Sequence, residues 1–486
     1  MQLLSSDLPN LMGQRDHLVI YLNGKRVVIA SDDAALTLAE FLRSRQAKLG
    51  TKIVCNEGDC GACSVLVGKP SAIGTSLDYV AIDSCIAFLF QLDRTHVVTV
   101  EGLTTNGKLT PVQDAMIRCH GSQCGFCTPG FVTTMHAMVE SNQTLDDASL
   151  RYGLSGNLCR CTGYTQILQA GTSIDSSSVP RLSVRYPDEP ILRDFASLGP
   201  DPVCIATNTR TIFVPRTVSQ AIDIRASHPQ ATIISGATDY GVSHNHGRTA
   251  TTDLLCLSSI NGLRDIYVRD NTLVIGAMAS WIDIEHAVKS LLPEYHQILT
   301  RFGSPQIRQM GTIGGNLASG SPIADSVPLH IVLASELELI SSRGTRRVSL
   351  QDFYLGYRET MLRDDELIAY VHTPLPRDDE HIKLYKISKR RDMDISTLTF
   401  GIWLKRSGGT IQDVRLALGG VGPTVNRIDK AEAALRGKPW TEATFQTAGR
   451  IAREQITPWT DVRGSADYRL ALTENLLVKS FLETSE

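Results

Sequence analysis

Strand-forming residues at 17–21 and 26–30 flank Asn23-Gly24. This pattern predicts a β-hairpin, because an Asn-Gly pair supplies the positive φ angles that a two-residue turn needs. Apolar residues at helical spacing follow over 36–42, and alternating or β-branched runs at 64–67 and 95–100 predict two further strands. From residue 110 the period changes to that of short helices, at 111–117, 131–139 and 145–152. Thr110 is the expected N-cap of the first and Pro111 its first helical residue. The stretch 173–194 is rich in Ser and Pro and has no period, so it reads as a linker. Beyond it, 231–234 reads as a strand, 397–405 and 414–418 as two more, and 430–435 and 442–451 as helices.

At 486 residues the chain is too long for one core, which suggests about three or four domains. A net charge of −3 argues against a polyanionic partner, since nucleic-acid binders carry a basic excess or stripe. Residues 1–17 lack a basic start followed by an apolar core, and no run of about 18 apolar residues is present. A cytoplasmic protein is therefore expected.

Cysteine spacing changes the picture most. Nine of eleven cysteines precede residue 162. Cys55-Asn56-Glu57-Gly58-Asp59-Cys60-Gly61-Ala62-Cys63, with Cys85 after 21 intervening residues, has the plant-ferredoxin spacing of a [2Fe–2S] cluster. Gly58 and Gly61 suit a loop that turns its N–H groups toward sulfur. A zinc site is the rival for four cysteines, but zinc usually pairs two short knuckles. A second set, Cys124 and Cys127 with Cys159 and Cys161, places C-x2-C and C-x-C at helix ends that a helical bundle could bring together. Cys119 would be a fifth ligand there, and reads instead as a small buried hydrophobe, as do the isolated Cys204 and Cys256.

Two stretches of small residues are candidate ligand loops. Ser235-Gly236-Ala237-Thr238-Asp239-Tyr240-Gly241 ends the 231–234 strand and could form a phosphate nest, although it is neither G-x-G-x-x-G nor a P-loop. The stretch 309–325 is built of Gly, Ser, Thr, Ala and Asn between apolar segments, as if its backbone approached a bulky ligand. Thr312, Asn316 and Ser319 would be its donors and Asp325 its acceptor. The basic run Lys389-Arg390-Arg391 is expected in a solvated loop, or beside a flavin as an attractor of dinucleotide phosphates.

On the two cysteine motifs, Gly121-Ser122-Gln123-Cys124-Gly125-Phe126-Cys127-Thr128-Pro129-Gly130, Gly156-Asn157-Leu158-Cys159-Arg160-Cys161-Thr162-Gly163-Tyr164 and Thr312-Ile313-Gly314-Gly315-Asn316, the chain resembles the iron–sulfur/FAD portion of the molybdenum hydroxylases. The resemblance implies an α+β multidomain chain. It consists of a β-grasp plant-type ferredoxin domain (15–103), a small α-helical-bundle [2Fe–2S] domain (104–172), the linker 173–194, an α+β FAD-binding domain that is not a Rossmann fold (195–376) and a C-terminal α/β flavoprotein domain (377–486). It implies that Cys55, Cys60, Cys63 and Cys85 hold the cluster nearer the flavin, and Cys124, Cys127, Cys159 and Cys161 the one nearer molybdenum. The FAD pyrophosphate loop would be Ile233, Ile234, Ser235, Gly236, Ala237, Thr238, Asp239 and Tyr240. Phe302, Thr312, Gly315, Asn316, Asp325, Ile368 and Lys386 would be further FAD contacts. Ile368 and Thr312 stand where the family usually has Leu and Ser, and Gly236-Ala237-Thr238-Asp239 where it often has Gly-Asn-Thr-Glu.

The large molybdopterin domain of the family is missing from this chain, so the resemblance implies a molybdopterin-binding partner subunit in an A2B2 heterotetramer. Electrons would pass from molybdenum through two clusters to FAD and then to NAD+, during oxidation of hypoxanthine and xanthine to urate, with no base for the purine step on this chain. The alternatives are an aldehyde, nicotinate or aromatic acyl thioester substrate, or a non-enzymatic zinc module.

Overall fold

The structure is a computed structural model that describes residues 14–104 and 107–484. Its described residues form two compact units divided between Ile260 and Asn261.

In the first unit the hairpin forms as expected. Strands β1 (His17–Leu22) and β2 (Lys25–Ala30) pair from His17↔Ala30 to Leu22↔Lys25, with Asn23 and Gly24 at positive φ in the turn. Helix α1 (Leu38–Ser44) starts at a capping box between Thr37 and Glu40 and buries Leu38, Ala39, Phe41 and Leu42. With β3 (Ser64–Pro70), β4 (Leu77–Asp83) and β5 (His96–Val98) the sheet has the order β2-β1-β5-β3-β4. The run at 95–100 is thus the shortest strand and yet lies in the middle, parallel to β1 and antiparallel to β3. That position suits a strand buried at every residue.

Helices α2 (Val100–Leu103), α3 (Pro111–Arg118), α4 (Thr128–Glu140), α5 (Asp147–Gly153) and α6 (Thr165–Thr172) follow. Thr110 caps α3 as its sequence requires. All residues of α4 from Gly130 to Val139 are buried, so this helix is the axle of the bundle. Val19, Leu66 and Val98 of the sheet share one core with Phe131, Met135 and Met138 of α4 and Leu150 of α5.

The Ser/Pro stretch 173–194 corrects its reading as an aperiodic linker. It contains α7 (Leu182–Arg185) and the start of α8 (Asp188–Ser197). Leu182, Tyr186, Ile191 and Phe195 enter the same core, and the Tyr186 hydroxyl donates to the Gly102 carbonyl at 2.8 Å. Pro190 lies in the first turn of α8, where its missing N–H costs nothing. A second sheet completes the unit, with order β6-β7-β9-β8: β6 (Val203–Ala206), β7 (Thr211–Val214), β8 (Thr232–Ile234) and β9 (Leu254–Cys256). Strands β7, β9 and β8 are parallel, joined through α9 (Val218–Ser227) and α10 (Thr238–Asn245).

The second unit carries a five-stranded antiparallel sheet. Strands β10 (Ile266–Arg269) and β11 (Thr272–Gly276) precede helices α11 (Trp281–Val288), α12 (Pro293–Leu299), α13 (Pro305–Met310), α14 (Ile313–Ala318) and α15 (Val327–Val332). Strands β12 (Glu336–Ser341) and β13 (Gly344–Ser349), helix α16 (Leu350–Phe353), the short pair β14 (Tyr354–Gly356) and β15 (Glu359–Thr360), and β16 (Leu367–Pro374) follow. The sheet order is β10-β11-β16-β12-β13. A four-stranded antiparallel sheet ends the chain: β17 (Glu380–Ile387), β18 (Leu398–Ser407), β19 (Thr410–Gly419) and β20 (Asn426–Arg427). Over it pack α17 (Asp429–Leu435), α18 (Glu442–Gln455) and α19 (Ala466–Thr484), through Phe445, Ala448, Ala452, Leu476 and Leu477. No described helix is long and apolar enough to cross a membrane.

Candidate functional site

The first thiol group is assembled by an irregular loop held between α1 and β3. Cys63 and Cys85 are buried, Cys55 and Cys60 half-buried, and all four are free. Hydrogen bonds from the Cys60 and Cys85 thiols pull the Cys55 pKa far down, and the same interactions push Cys60 and Cys85 far up. These interactions link Cys60 to Cys55, Cys55 to Cys85 and Cys85 to Cys63, so the thiols neighbour one another in a chain, as the ligands of a two-iron cluster would. The main chain contributes as well: the Glu57 N–H donates to Cys55 Sγ at 3.4 Å. Asp83 stands behind the group with Oδ1 at 3.7 Å from Cys63 Sγ, and full burial raises its pKa well above the carboxylate range.

The second group is the one that the helix-end spacing suggested. Cys127 caps α4, and Cys161 Sγ stands 3.6 Å from Cys124 Sγ. Burial, reinforced by the Cys159 thiol, pushes Cys127 up to about 12. Cys159 is lowered despite its own burial, because the Thr162 hydroxyl donates to its sulfur at 3.2 Å. The thiols thus form two pairs, 124 with 161 and 127 with 159, each joining the C-x2-C to the C-x-C. Among the described residues no three Cys, His, Asp or Glu side chains converge as around one ion. A two-iron cluster divides its four thiolates between two metals and needs no such convergence. Cys124 and Cys161 are exposed, so this edge of the second group is open to solvent.

Cys119 departs partly from its reading. It is the C-cap of α3 and only half-buried, with Sγ 3.9 Å from Ser173 Oγ. Cys256 is buried as expected, whereas Cys204 is half-buried.

In the same unit, β8 runs into Ser235-Gly236-Ala237 and then α10. Ala237 adopts φ 59°, a left-handed N-cap that leads from this small-residue turn straight into α10. Tyr240 receives a hydrogen bond from Arg210 at 3.0 Å and packs against Phe88. Gln91 donates to the Ser235 carbonyl at 3.0 Å. At the other end of α10, Asn245 Nδ2 donates to the carbonyls of Asn56 and Cys85, both at 2.9 Å. Nothing in the sequence around Asn245 signals this role.

In the second unit, Thr312 is the N-cap of α14 and accepts the Gly315 N–H at 3.2 Å. Part of the small-residue content serves packing rather than a ligand: a Cβ on Gly314 would stand 2.7 Å from Ala277. Asn316 Oδ1 accepts from Ser326 at 2.6 Å. Asp325, expected as an acceptor for a ligand, pairs with the buried Lys386 through one oxygen and accepts from Ser396 at 2.5 Å through the other. Both partners of that ion pair come from the residue set named for FAD. Phe302 packs at 4.7 Å against Trp281, and Ile368 is buried in β16 opposite Leu339. The buried pair Arg308–Glu285 stands behind Phe302, and Arg308 donates to the Gly303 carbonyl at 2.9 Å. The basic run is an ordered turn in which Lys389 donates to the Val462 carbonyl and the Arg390 N–H to Asp394.

Four family models match this chain: "2Fe-2S iron-sulfur cluster binding domain" at 20–85, "[2Fe-2S] binding domain" at 99–172, "FAD binding domain in molybdopterin dehydrogenase" at 207–376 and "CO dehydrogenase flavoprotein C-terminal domain" at 383–484. Xanthine dehydrogenase/oxidase of Rattus norvegicus is 29% identical across 96% of this chain and 39% of its own length. Xanthine dehydrogenase of Emericella nidulans is 30% identical across 94% and 38%. Among solved structures, carbon monoxide dehydrogenase from Hydrogenophaga pseudoflava matches 55% of this chain and 93% of its own, with 29% identity and a TM-score of 0.52. Quinoline 2-oxidoreductase from Pseudomonas putida matches 55% and 94%, with 27% identity and a TM-score of 0.52. The chain belongs to the molybdenum hydroxylase family. Within that family of oxidoreductases it is an electron-transfer portion, with two [2Fe–2S] domains and an FAD-binding domain. It spans about two fifths of the length of the curated relatives it matches.

Proposed function

We propose that this chain is the iron–sulfur/FAD subunit of a xanthine dehydrogenase, working in the cytoplasm with a molybdopterin-binding subunit in an A2B2 heterotetramer. The carrying observation is the combination of two four-thiol groups and a flavin module on one chain, along which the curated relatives aligned over 96% of its length are xanthine dehydrogenases. When bound, the clusters carry electrons singly, and FAD collects two and gives them to NAD+ as hydride.

The residues have separate tasks in this reading. Cys55, Cys60, Cys63 and Cys85 hold the cluster nearer FAD, where burial excludes water from two of the four sulfurs. Cys124, Cys127, Cys159 and Cys161 hold the other, and the exposure of Cys124 and Cys161 supports electron entry from a second chain. Residues 233–240 cradle the pyrophosphate, with Ala237 at the turn into α10. Thr312, Gly315, Asn316, Phe302 and Ile368 of the second unit are assigned to FAD by the family resemblance. Lys386 and Asp325, assigned on the same ground, hold each other's charge in a buried ion pair. The domain division 15–103, 104–172, 195–376 and 377–486 belongs to the same proposal. Co-purified with its large subunit, the protein is expected to make NADH from xanthine or hypoxanthine. Absence of purine-dependent NADH would remove the substrate assignment.

A second reading, another substrate of the same enzyme class, is favoured by the solved neighbours, which are a carbon monoxide dehydrogenase and a quinoline oxidoreductase. Turnover of a non-purine substrate with the purines inert would select it.

A further inference from the structure

Helix α10 follows the left-handed N-cap Ala237 and ends at Asn245, eight residues further on. Its far end is fastened to the first thiol loop, because both N–H groups of the Asn245 amide are used on main-chain carbonyls there. One carbonyl is that of Cys85 and the other that of Asn56, which follows Cys55. The middle of the helix is pressed on the same segment: a Cβ at Gly241 would stand 2.7 Å from the Ile86 carbonyl oxygen. At its start, Phe88 packs against Tyr240 and Gln91 holds the Ser235 carbonyl. A helix is stiff and rises about 1.5 Å per residue, so α10 is a rigid spacer of about 12 Å. The thiol loop, by contrast, has no regular structure, and Asn56, Gly58 and Gly61 all have positive φ.

We propose that Asn245 is a positioning residue for electron transfer between the first cluster and FAD. By fixing the Asn56 and Cys85 carbonyls to the helix that opens on the pyrophosphate loop, it sets the separation and orientation of the two redox groups. The transfer itself moves one electron from the reduced cluster to the flavin, with no bond made or broken. The inference rests on the ligand and FAD assignments proposed above, and it is independent of the substrate.

The test uses the full chain loaded with iron, sulfide and flavin. Cluster–flavin equilibration is followed by absorbance after pulse radiolysis, and both clusters are followed by EPR. Asn245→Leu should slow equilibration about tenfold, as small misplacements of reacting groups do. It should shift the EPR signal of the first cluster, leave that of the second unchanged and keep iron and flavin content at wild-type levels. Asn245→Gln, which retains the amide, should recover part of the rate. A wild-type rate with unchanged spectra overturns the proposal, and so does an equal change in both clusters, which marks general loosening. Should Asn245→Leu fail to load, Gly241→Ala perturbs the same junction with Asn245 intact: a slowed step supports the proposal and a wild-type rate overturns it. Failure of the cofactor assignment is visible separately, as wild-type protein lacking flavin or iron, and overturns the proposal with it. Inactivity toward xanthine in otherwise loaded protein concerns the substrate alone.

Discussion

The Leu158 N–H donates to the Cys60 carbonyl at 2.9 Å, so a residue beside the second thiol group is hydrogen-bonded to a residue of the first. Asn157 extends the contact by donating to the Gly61 carbonyl at 3.1 Å. The two groups are therefore held on one frame, and Cys127 and Cys159 of the second adjoin the hydrophobic core around Phe131 and Met135, which Leu66 and Val98 of the first sheet also enter.

Gly61→Ala tests that frame. The residue has φ +64°, and an added Cβ would stand 2.3 Å from the Gly156 carbonyl oxygen. Backbone has to move, at a cost of about 2–4 kcal/mol. Iron analysis should show both clusters depleted together; loss confined to the first would contradict the common frame.

Cys124→Ser should remove the second cluster and leave FAD bound, since the thiol group and the proposed flavin residues are built on different elements. About half of the iron should remain, with flavin content unchanged. Simultaneous loss of flavin would contradict the division.

Lys386 and Asp325 form an ion pair whose side chains are 2% and 7% exposed. Asp325→Ala leaves a buried ammonium without its counter-charge, which costs about 3–5 kcal/mol. Replacing both, with Asp325→Leu and Lys386→Met, should restore most of the loss. All four tryptophans lie beyond residue 260, so their fluorescence in urea titrations reports on this unit. Equal stability of the single and double variants would contradict the pairing.

His330 predicts an acid sensitivity. Full burial among Tyr295, Ser335 and Thr373 lowers its pKa from 6.5 to about 4. Unfolded protein takes up the proton below about pH 6.5, whereas folded protein does so only near pH 4. Its contribution is therefore full above pH 6.5 and is lost as pH falls toward 4, up to about 3 kcal/mol. His330→Gln should flatten the pH dependence of tryptophan-detected unfolding across that window; an unchanged slope would count against it.

Local rules made much of this legible. Asn23-Gly24 gave its hairpin and Thr110-Pro111 its helix start, because turn and cap chemistry acts over a few residues. Composition misled at 173–194: Ser and Pro suggested an open tether, but Leu182, Tyr186 and Ile191, with Phe195 just beyond, fold it onto the core. The 19-residue α19 is an addition to the elements expected from the sequence, although its leucines at 470, 472, 476 and 477 carry an apolar pattern. Contacts between distant residues were illegible in principle. Lys386 and Asp325 are 61 residues apart, and Asn245 and Cys85 160, so only the folded chain brings them together.

The most direct measurement is iron, acid-labile sulfide and flavin analysis of the full chain purified without oxygen. The account predicts about four iron and four sulfide atoms with one FAD per chain, and a brown protein. Zinc in place of iron, or a colourless protein without labile sulfide, would contradict it.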